Sequence, residues 1–286
     1  MAAINIGLPV YNEGELLRGS LETLARQTFT DFEVLIYDNA STDSTGEVAQ
    51  YFAAQDPRFR YFRQSENKGA LPNFYDCLLA AKSEYFLWRA ADDRSDDNYL
   101  EVLHRLLEGD ASKSLAVGNV LSGDLDGGRQ KLTLPPDAQV AAKWSTRIAN
   151  LRGSHASWIY GLFRRAPLTE RMNTVMDVYG YPWAFDHLVL FSFVIDNAVV
   201  GSRDTTFQQV FKRSRGTRAI ADKKRSKPDP ALMAELRRKF FAQVREDVRS
   251  RERNAVMRAR LDAAMWLYTG KRVYKYRKLL SRKIFG

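Results

Sequence analysis

Asp92 and Asp93 are adjacent carboxylates that end a run of bulky residues, Tyr85-Phe86-Leu87-Trp88, which reads as a buried strand. Strand ends are where open α/β sheets place their ligands. Two ionised carboxylates side by side repel each other unless a cation is near. Mg²⁺ or Mn²⁺ accepts such oxygen ligands and keeps coordination positions for a substrate's phosphates. Read alone, the pair is equally an acidic loop facing water, so its weight comes from two other strand ends. Pro9-Val10-Tyr11-Asn12-Glu13 follows a first apolar run at residues 4–8, and Asp38 follows a second at residues 32–37. In a parallel sheet these ends share one edge, where helix N-termini also present free N–H groups to a diphosphate. Asp38 can accept a hydrogen bond from a base N–H, and a metal can bridge carboxylate and diphosphate. Neither GxxxxGK[ST] nor GxGxxG occurs, which sets aside the P-loop and the dinucleotide fingerprint.

The elements that must position these groups alternate along the chain. Leu16, Leu17, Leu21 and Leu24 mark a helix over residues 13–27, and Val48, Tyr51 and Phe52 mark another over 44–54. Residues 59–62 form a third strand, and Asn67-Lys68-Gly69 turns the chain into a helix at 72–81. A helix at 97–107 and a strand at 115–121 complete a βαβαβαβαβ order. That order predicts an α/β fold with a mostly parallel sheet covered on both faces. Residues 122–139 read as a loop or hairpin, 157–163 as a strand, 183–195 as a helix and 199–211 as one or two strands. From residue 230 the pattern is helical, with Leu232, Leu236, Phe240, Val244 and Val248 on one side; residues 272–285 form a last basic amphipathic piece. The expected division is a donor half at 1–121, an acceptor half at 122–215 and a basic helical extension at 216–286.

Composition narrows the classes. The 286 residues are 45% hydrophobic, enough for a sizeable core. One cysteine, Cys77, allows no internal disulfide, and no Cys/His cluster has zinc spacing, in keeping with a cytoplasmic setting. The start of the chain reads as a first strand rather than a signal peptide, and no window reaches the ~20 apolar residues of a membrane span. The net charge of +10 is uneven: residues 212–286 hold 24 Lys/Arg against 7 Asp/Glu, which leaves residues 1–211 at −7. A basic tail on an acidic body has three readings: a solvated helix pair, attachment to the anionic inner face of a membrane, or nucleic-acid binding. No RNA or DNA module accompanies the charge, so nucleic acid ranks last.

Pro9-Val10-Tyr11-Asn12-Glu13, Asp38-Asn39-Ala40-Ser41-Thr42-Asp43, Glu66-Asn67-Lys68-Gly69 with Asn73, and Ala91-Asp92-Asp93 together resemble the family 2 glycosyltransferases of GT-A fold, over about residues 1–215. The resemblance implies an inverting, metal-dependent enzyme of hexosyltransferase type using Mn²⁺ or Mg²⁺. It would move a sugar from a nucleotide sugar, often a UDP-sugar, to a hydroxyl of a saccharide or lipid-linked acceptor in bacterial-type surface polysaccharide or glycan synthesis. By that likeness Pro9, Tyr11 and Glu13 line the nucleotide pocket with Asn67, Lys68, Asn73 and Asp92. Asp38 binds the base, and Asp92 or Asp93 holds the metal. Family members often carry Asp-x-Asp-Asp where this chain has Ala90-Ala91-Asp92-Asp93, so the first carboxylate is missing. The likeness also marks Asp186, in Phe185-Asp186-His187-Leu188, as the general base; its other reading is a favourable charge at a helix start. Trp158 and Trp183 are candidates to stack on the acceptor sugar, against a core role. Arg213 is placed to reach the diphosphate or else belongs to the basic tail. His187 reads as a helix cap, and His104 and His155 have no metal spacing. Alternative functions are a nucleotide-sugar binder without turnover and a nucleic-acid binder using the tail. A nucleotidyltransferase would need a glycine-rich basic loop after the first strand, which Pro9-Val10-Tyr11-Asn12-Glu13 is not.

Overall fold

The computed structural model of the protein describes residues 2–123, 130–136, 144–210 and 229–274. These fall into two compact units, one within residues 1–139, 155–173 and 198–212, the other within 140–154, 174–197 and 213–286.

The first unit is built on a nine-stranded sheet. Its strands are β1 (Ile4–Val10), β2 (Phe32–Asp38), β3 (Phe59–Arg63), β4 (Tyr85–Trp88), β5 (Arg94–Ser95), β6 (Leu115–Gly123), β7 (Lys131–Thr133), β8 (Leu162–Arg164) and β9 (Val199–Val210). They lie in the order β3-β2-β1-β4-β8-β6-β9-β5, with β7 paired to β6. Pairings β1·β2, β2·β3, β1·β4 and β6·β9 are parallel, and β8 enters antiparallel between β4 and β6. The mostly parallel α/β sheet expected from the sequence is therefore present, with antiparallel pairs at β8, at β5·β9 and at β6·β7 as additions.

Helices α1 (Gly14–Ala25), α2 (Thr45–Gln55), α3 (Ala70–Ala80) and α4 (Tyr99–Glu108) follow β1, β2, β3 and β5. In β1, Ile4, Ile6, Leu8 and Val10 alternate into the core, and all four residues of β4 are buried. On the other side of β1, α3 packs so tightly that a Cβ on Gly7 would lie 2.7 Å from both Cys77 Cβ and Phe86 Cζ.

The expected strand at 157–163 is a 3-10 turn, Ala156–Tyr160, followed by the short β8. A brief apolar run does not tell strand from helical turn by its period. Here the His155 ring accepts from Ser157 N–H, and Gly161 approaches β6 so closely that a Cβ would meet Ala116 O at 2.5 Å.

The second unit contains α5 (Trp144–Gly153), α7 (Phe185–Ile195), α8 (Pro230–Arg251) and α9 (Ala255–Thr269), ending in a π turn at Gly270–Tyr274. The helix α6 (Arg165–Val178) divides between the units at residue 173. Leu188 to Ile195 of α7 are all buried, and α8 turns Leu236, Phe240, Val244 and Val248 inward, as its spacing predicts. Asp229 caps α8 by accepting from Leu232 N–H at 2.8 Å, with Pro230 at the first helical position. Most of the basic piece at 272–285 lies outside the described residues.

Candidate active site

The chain passes outward from β1 to β2 to β3, then crosses back to set β4 on the other side of β1. That reversal makes the C-terminal ends of β1 and β4 a topological switch point, the place where open α/β sheets bind ligands.

Four hydrogen bonds tie the loop after β1 to the loop after β2. Asn12 N–H donates to Ser41 Oγ (3.0 Å), and Asn12 Oδ1 accepts from Thr42 N–H (2.8 Å). Glu13 N–H donates to Thr45 Oγ1 (2.9 Å) and Gly14 N–H to Asp43 Oδ2 (3.2 Å). The turns are tight enough to hold Asn12 and Ala40 at φ of 54° and 60°, in the left-handed region. Burial is the largest influence on the Asp43 carboxyl and pushes its pKa up. The hydrogen bonds from the Thr45 hydroxyl and from the backbone of Thr45 and Gly14 outweigh it, so the group ionises below its usual range. At the rim, Tyr11 is 44% exposed, and Pro9 and Glu13 are half-buried.

Asn39 ties in the loop before α3. Its Nδ2 donates to Asn67 Oδ1 (2.9 Å) and Gly69 O (3.1 Å), and its Oδ1 accepts from Lys68 N–H (2.9 Å). Gly69, at φ 87°, supplies the left-handed entry into the helix. Lys68 Nζ pairs with Asp76 (3.1 Å), and buried Asn73 donates to Tyr37 O (2.9 Å).

Asp38 departs from its expected role as a direct base contact. It is 0% exposed; Oδ1 accepts from Ser41 N–H (2.8 Å), while Oδ2 accepts from Tyr61 Oη (2.7 Å) and Arg63 Nη1 (2.8 Å). Arg63 also donates to Ser41 O at 2.8 Å. Asp38 thus shapes the Ser41–Asp43 loop from within. Its partners Tyr61 and Arg63, unforeseen from sequence, alternate on one side of β3.

The two acidic neighbours differ sharply. Asp93 is 3% exposed and accepts from Val210 N–H through Oδ1 at 3.0 Å, which fastens the turn to the end of β9. Asp92 is half-buried and keeps access to solvent. Beneath the turn lies Arg89, fully buried, a residue that sequence reasoning passed over. Its Nη2 donates to Ser95 Oγ (2.7 Å), and its guanidinium sits 5.8 Å from the Tyr99 ring and 5.4 Å from that of Phe207. Burial pushes the Arg89 pKa down, and Tyr99 and Asp93 act against that shift. Nε and Nη1 find no hydrogen-bond partner among the described residues, and Tyr99 first and Asp93 second favour the charged form.

Trp158 is corrected outright: at 2% exposure it belongs to the core, and no face is open to a sugar. In the second unit, Asp186 is half-buried in the first turn of α7, and its carboxylate accepts from His187 N–H at 2.8 Å. The chain enters that helix through Ala184 at φ 61°. Trp183 is half-buried, and its carbonyl accepts from Tyr179 Oη at 2.5 Å. Burial first, and the Asp186 charge second, raise the Tyr179 pKa. Arg213 lies outside the described residues.

Among the described residues no three His, Cys, Asp or Glu side chains converge on an ion. A half-buried carboxylate such as Asp92 suits an ion that takes its other ligands from phosphate and water, as Mg²⁺ does at nucleotide sites.

The strand order and the helices that flank the sheet are those of a GT-A type α/β fold. The model of glycosyl transferase family 2 matches residues 6–186, and the chain belongs to that family. It is 30% identical over 121 residues to the glycosyltransferase GlyG of Streptococcus pneumoniae serotype 4, which is 42% of this chain and 40% of GlyG. It is 32% identical over 100 residues to the uncharacterised glycosyltransferase YibD of Escherichia coli, 35% of this chain and 29% of YibD. The matches thus span less than half of these relatives. Among solved structures, S. aureus TarS 1-349 in complex with UDP-GlcNAc superposes with a TM-score of 0.71 at 15% identity, covering 94% of this chain and 72% of that one. The mannosyltransferase PcManGT of Pyrobaculum calidifontis, in complex with GDP-Man and Mn²⁺, gives 0.53 at 15% identity over 96% and 83%. At these identities the likeness concerns the fold.

Proposed function

We propose that the protein transfers a hexosyl group, with inversion, from a UDP-sugar to a hydroxyl of a saccharide or lipid-linked acceptor in the synthesis of a bacterial surface glycan. The observation that carries this reading is the switch point between β1 and β4, with half-buried Asp92 beyond it on a turn fastened by Asp93. The stapled loops after β1, β2 and β3 form the nucleotide side, with Pro9, Tyr11 and Glu13 at the rim and Asn67, Lys68 and Asn73 behind it. Asp38 acts through the Ser41–Asp43 loop. A Mn²⁺ or Mg²⁺ held by Asp92 would neutralise charge on the departing diphosphate.

The acceptor oxygen forms its bond to the anomeric carbon on the face opposite the breaking bond to the diphosphate. The hydroxyl proton passes to the Asp186 carboxylate, and the nucleoside diphosphate leaves with the electron pair. Trp183, three residues before Asp186, is the acceptor-side aromatic.

The test pairs binding with turnover. UDP with Mn²⁺ should raise the melting temperature, since a ligand that binds only the folded state stabilises it. Asp186→Asn should keep that shift and lose about 10²–10⁴-fold in turnover of the UDP-sugar, the range of general-base effects. No stabilisation by any nucleotide would overturn the donor site. An Asp186→Asn variant as fast as the wild type would overturn the base.

A further inference from the structure

The second unit carries a feature that sugar transfer does not use. In α9 the exposed residues are Ala255, Val256, Ala259, Arg260, Ala263, Trp266 and Leu267. At 100° per residue they fall in one arc of roughly 140°, and Arg260 at its edge is the only charged member. Val256 is 62% exposed, Trp266 53% and Leu267 58%. The opposite side of the helix is fixed in the unit by buried Leu261, Ala264, Met265 and Tyr268, so the outward stripe is set by packing.

Beside the stripe runs a basic edge. Phe241 of α8 packs on Trp266 with ring centroids 4.8 Å apart. Arg238 and Arg245, three residues before and four after Phe241, flank it on the same helix face, and Arg249 continues the row one turn on. All three are exposed, and none makes an ion pair among the described residues. Beyond α9 the sequence adds Lys271, Arg272, Lys275, Arg277, Lys278, Arg282 and Lys283 with no acidic residue. No described helix is long and apolar enough to cross a membrane.

We propose that this face of α9, with the arginine row of α8, seats the protein in the interface of a membrane rich in anionic lipid. Trp266, Leu267 and Val256 would enter the acyl boundary, and Arg238, Arg245 and Arg249 would meet the phosphate headgroups. Charge selects this occupant over a second copy of the chain, because Arg238, Arg245 and Arg249 outnumber Glu246 on this face, and an isologous contact would bring two net-positive faces together. It also selects it over nucleic acid, because the centre of the surface is apolar and offers no groups to read bases.

The full chain should sediment with phosphatidylglycerol vesicles at low salt, release as salt rises, and stay in solution with phosphatidylcholine vesicles. Trp266→Ser with Leu267→Ser should weaken vesicle binding by on the order of tenfold or more, since each loses a large apolar surface. Its melting temperature should fall by only a few degrees, because both side chains are more than half exposed and the packing lost is that of Trp266 on Phe241. Arg238→Glu with Arg245→Glu should abolish the preference for phosphatidylglycerol. Three results would overturn the proposal: no sedimentation with phosphatidylglycerol, a serine double variant that binds as the wild type does, or a wild-type dimer that the double variant converts to monomer in light scattering. The assay needs neither donor nor turnover, so its outcome is separate from that of the transferase reading.

Discussion

Asp92→Asn and Asp93→Asn differ by one position and should have opposite consequences. In Asp93→Asn the side chain keeps its shape and its Oδ1 still accepts from Val210 N–H, observed at 3.0 Å. What is lost is the negative charge facing Arg89, a guanidinium that is fully buried and has two nitrogens without hydrogen-bond partners among the described residues. Removing one member of a contacting buried ion pair costs about 3–5 kcal/mol, and Asp93, which attracts Arg89 without a direct contact, should lie at the low end, about 3 kcal/mol. For a chain of this size that is a fall in melting temperature on the order of 10 °C. Asp92 is half-buried rather than buried, so Asp92→Asn should cost less than Asp93→Asn, about 1 kcal/mol or below.

Binding should reverse the order. Asp92→Asn should lose the extra stabilisation that Mn²⁺ adds to UDP, while Asp93→Asn should retain it on a lower baseline. Differential scanning fluorimetry of both variants, with UDP and with or without Mn²⁺, measures all four quantities. If Asp93→Asn melts with the wild type and Asp92→Asn falls by 10 °C, the two roles have been assigned the wrong way round.

Other expectations follow from single sites. Gly7→Ala would bring a Cβ to 2.7 Å from Cys77 Cβ and Phe86 Cζ, and should cost about 1–3 kcal/mol in a denaturant titration. Ala184→Gly should stabilise by about 1 kcal/mol, because a left-handed φ of 61° penalises a Cβ and glycine adopts it freely. The Asp43 carboxyl ionises below its usual range when folded, so its contribution to stability is complete above the unfolded value of about 3.9 and disappears as pH falls through the lower folded value. The difference in melting temperature between wild type and Asp43→Asn should therefore be widest near neutral pH and close in acid.

The strand-end groups were legible in the sequence because each follows a short apolar run and precedes a helical period, so chain order alone puts them on one edge of the sheet. Which of them face a ligand was not legible, since that depends on partners far away in sequence. Asp38 is closed off by Tyr61 and Arg63, which lie 23 and 25 residues on. Asp93 is claimed by Val210, 117 residues on. The same distance hides β8, three residues slipped antiparallel between β4 and β6, and it explains why Trp158 was offered as a stacking surface when it is core.

Arg89 makes the point most sharply. In sequence it is one more basic residue beside an acidic pair, and a solvated one by base expectation, since arginine is almost never fully buried unless paired. Its burial follows from its place one residue beyond β4, where its N–H donates to Gly7 O at 2.9 Å and its side chain meets Tyr99 and Phe207. A charge fixed there needs a carboxylate, and Asp93 supplies it at the expense of any contact with solvent. The chain lacks the first acid of the Asp-x-Asp-Asp pattern, and the last, Asp93, is buried against the end of β9. On the proposed reading half-buried Asp92 is the carboxylate of this turn that would meet a metal-bound diphosphate, so a charge change at position 92 should alter the metal dependence of nucleotide binding without altering the fold.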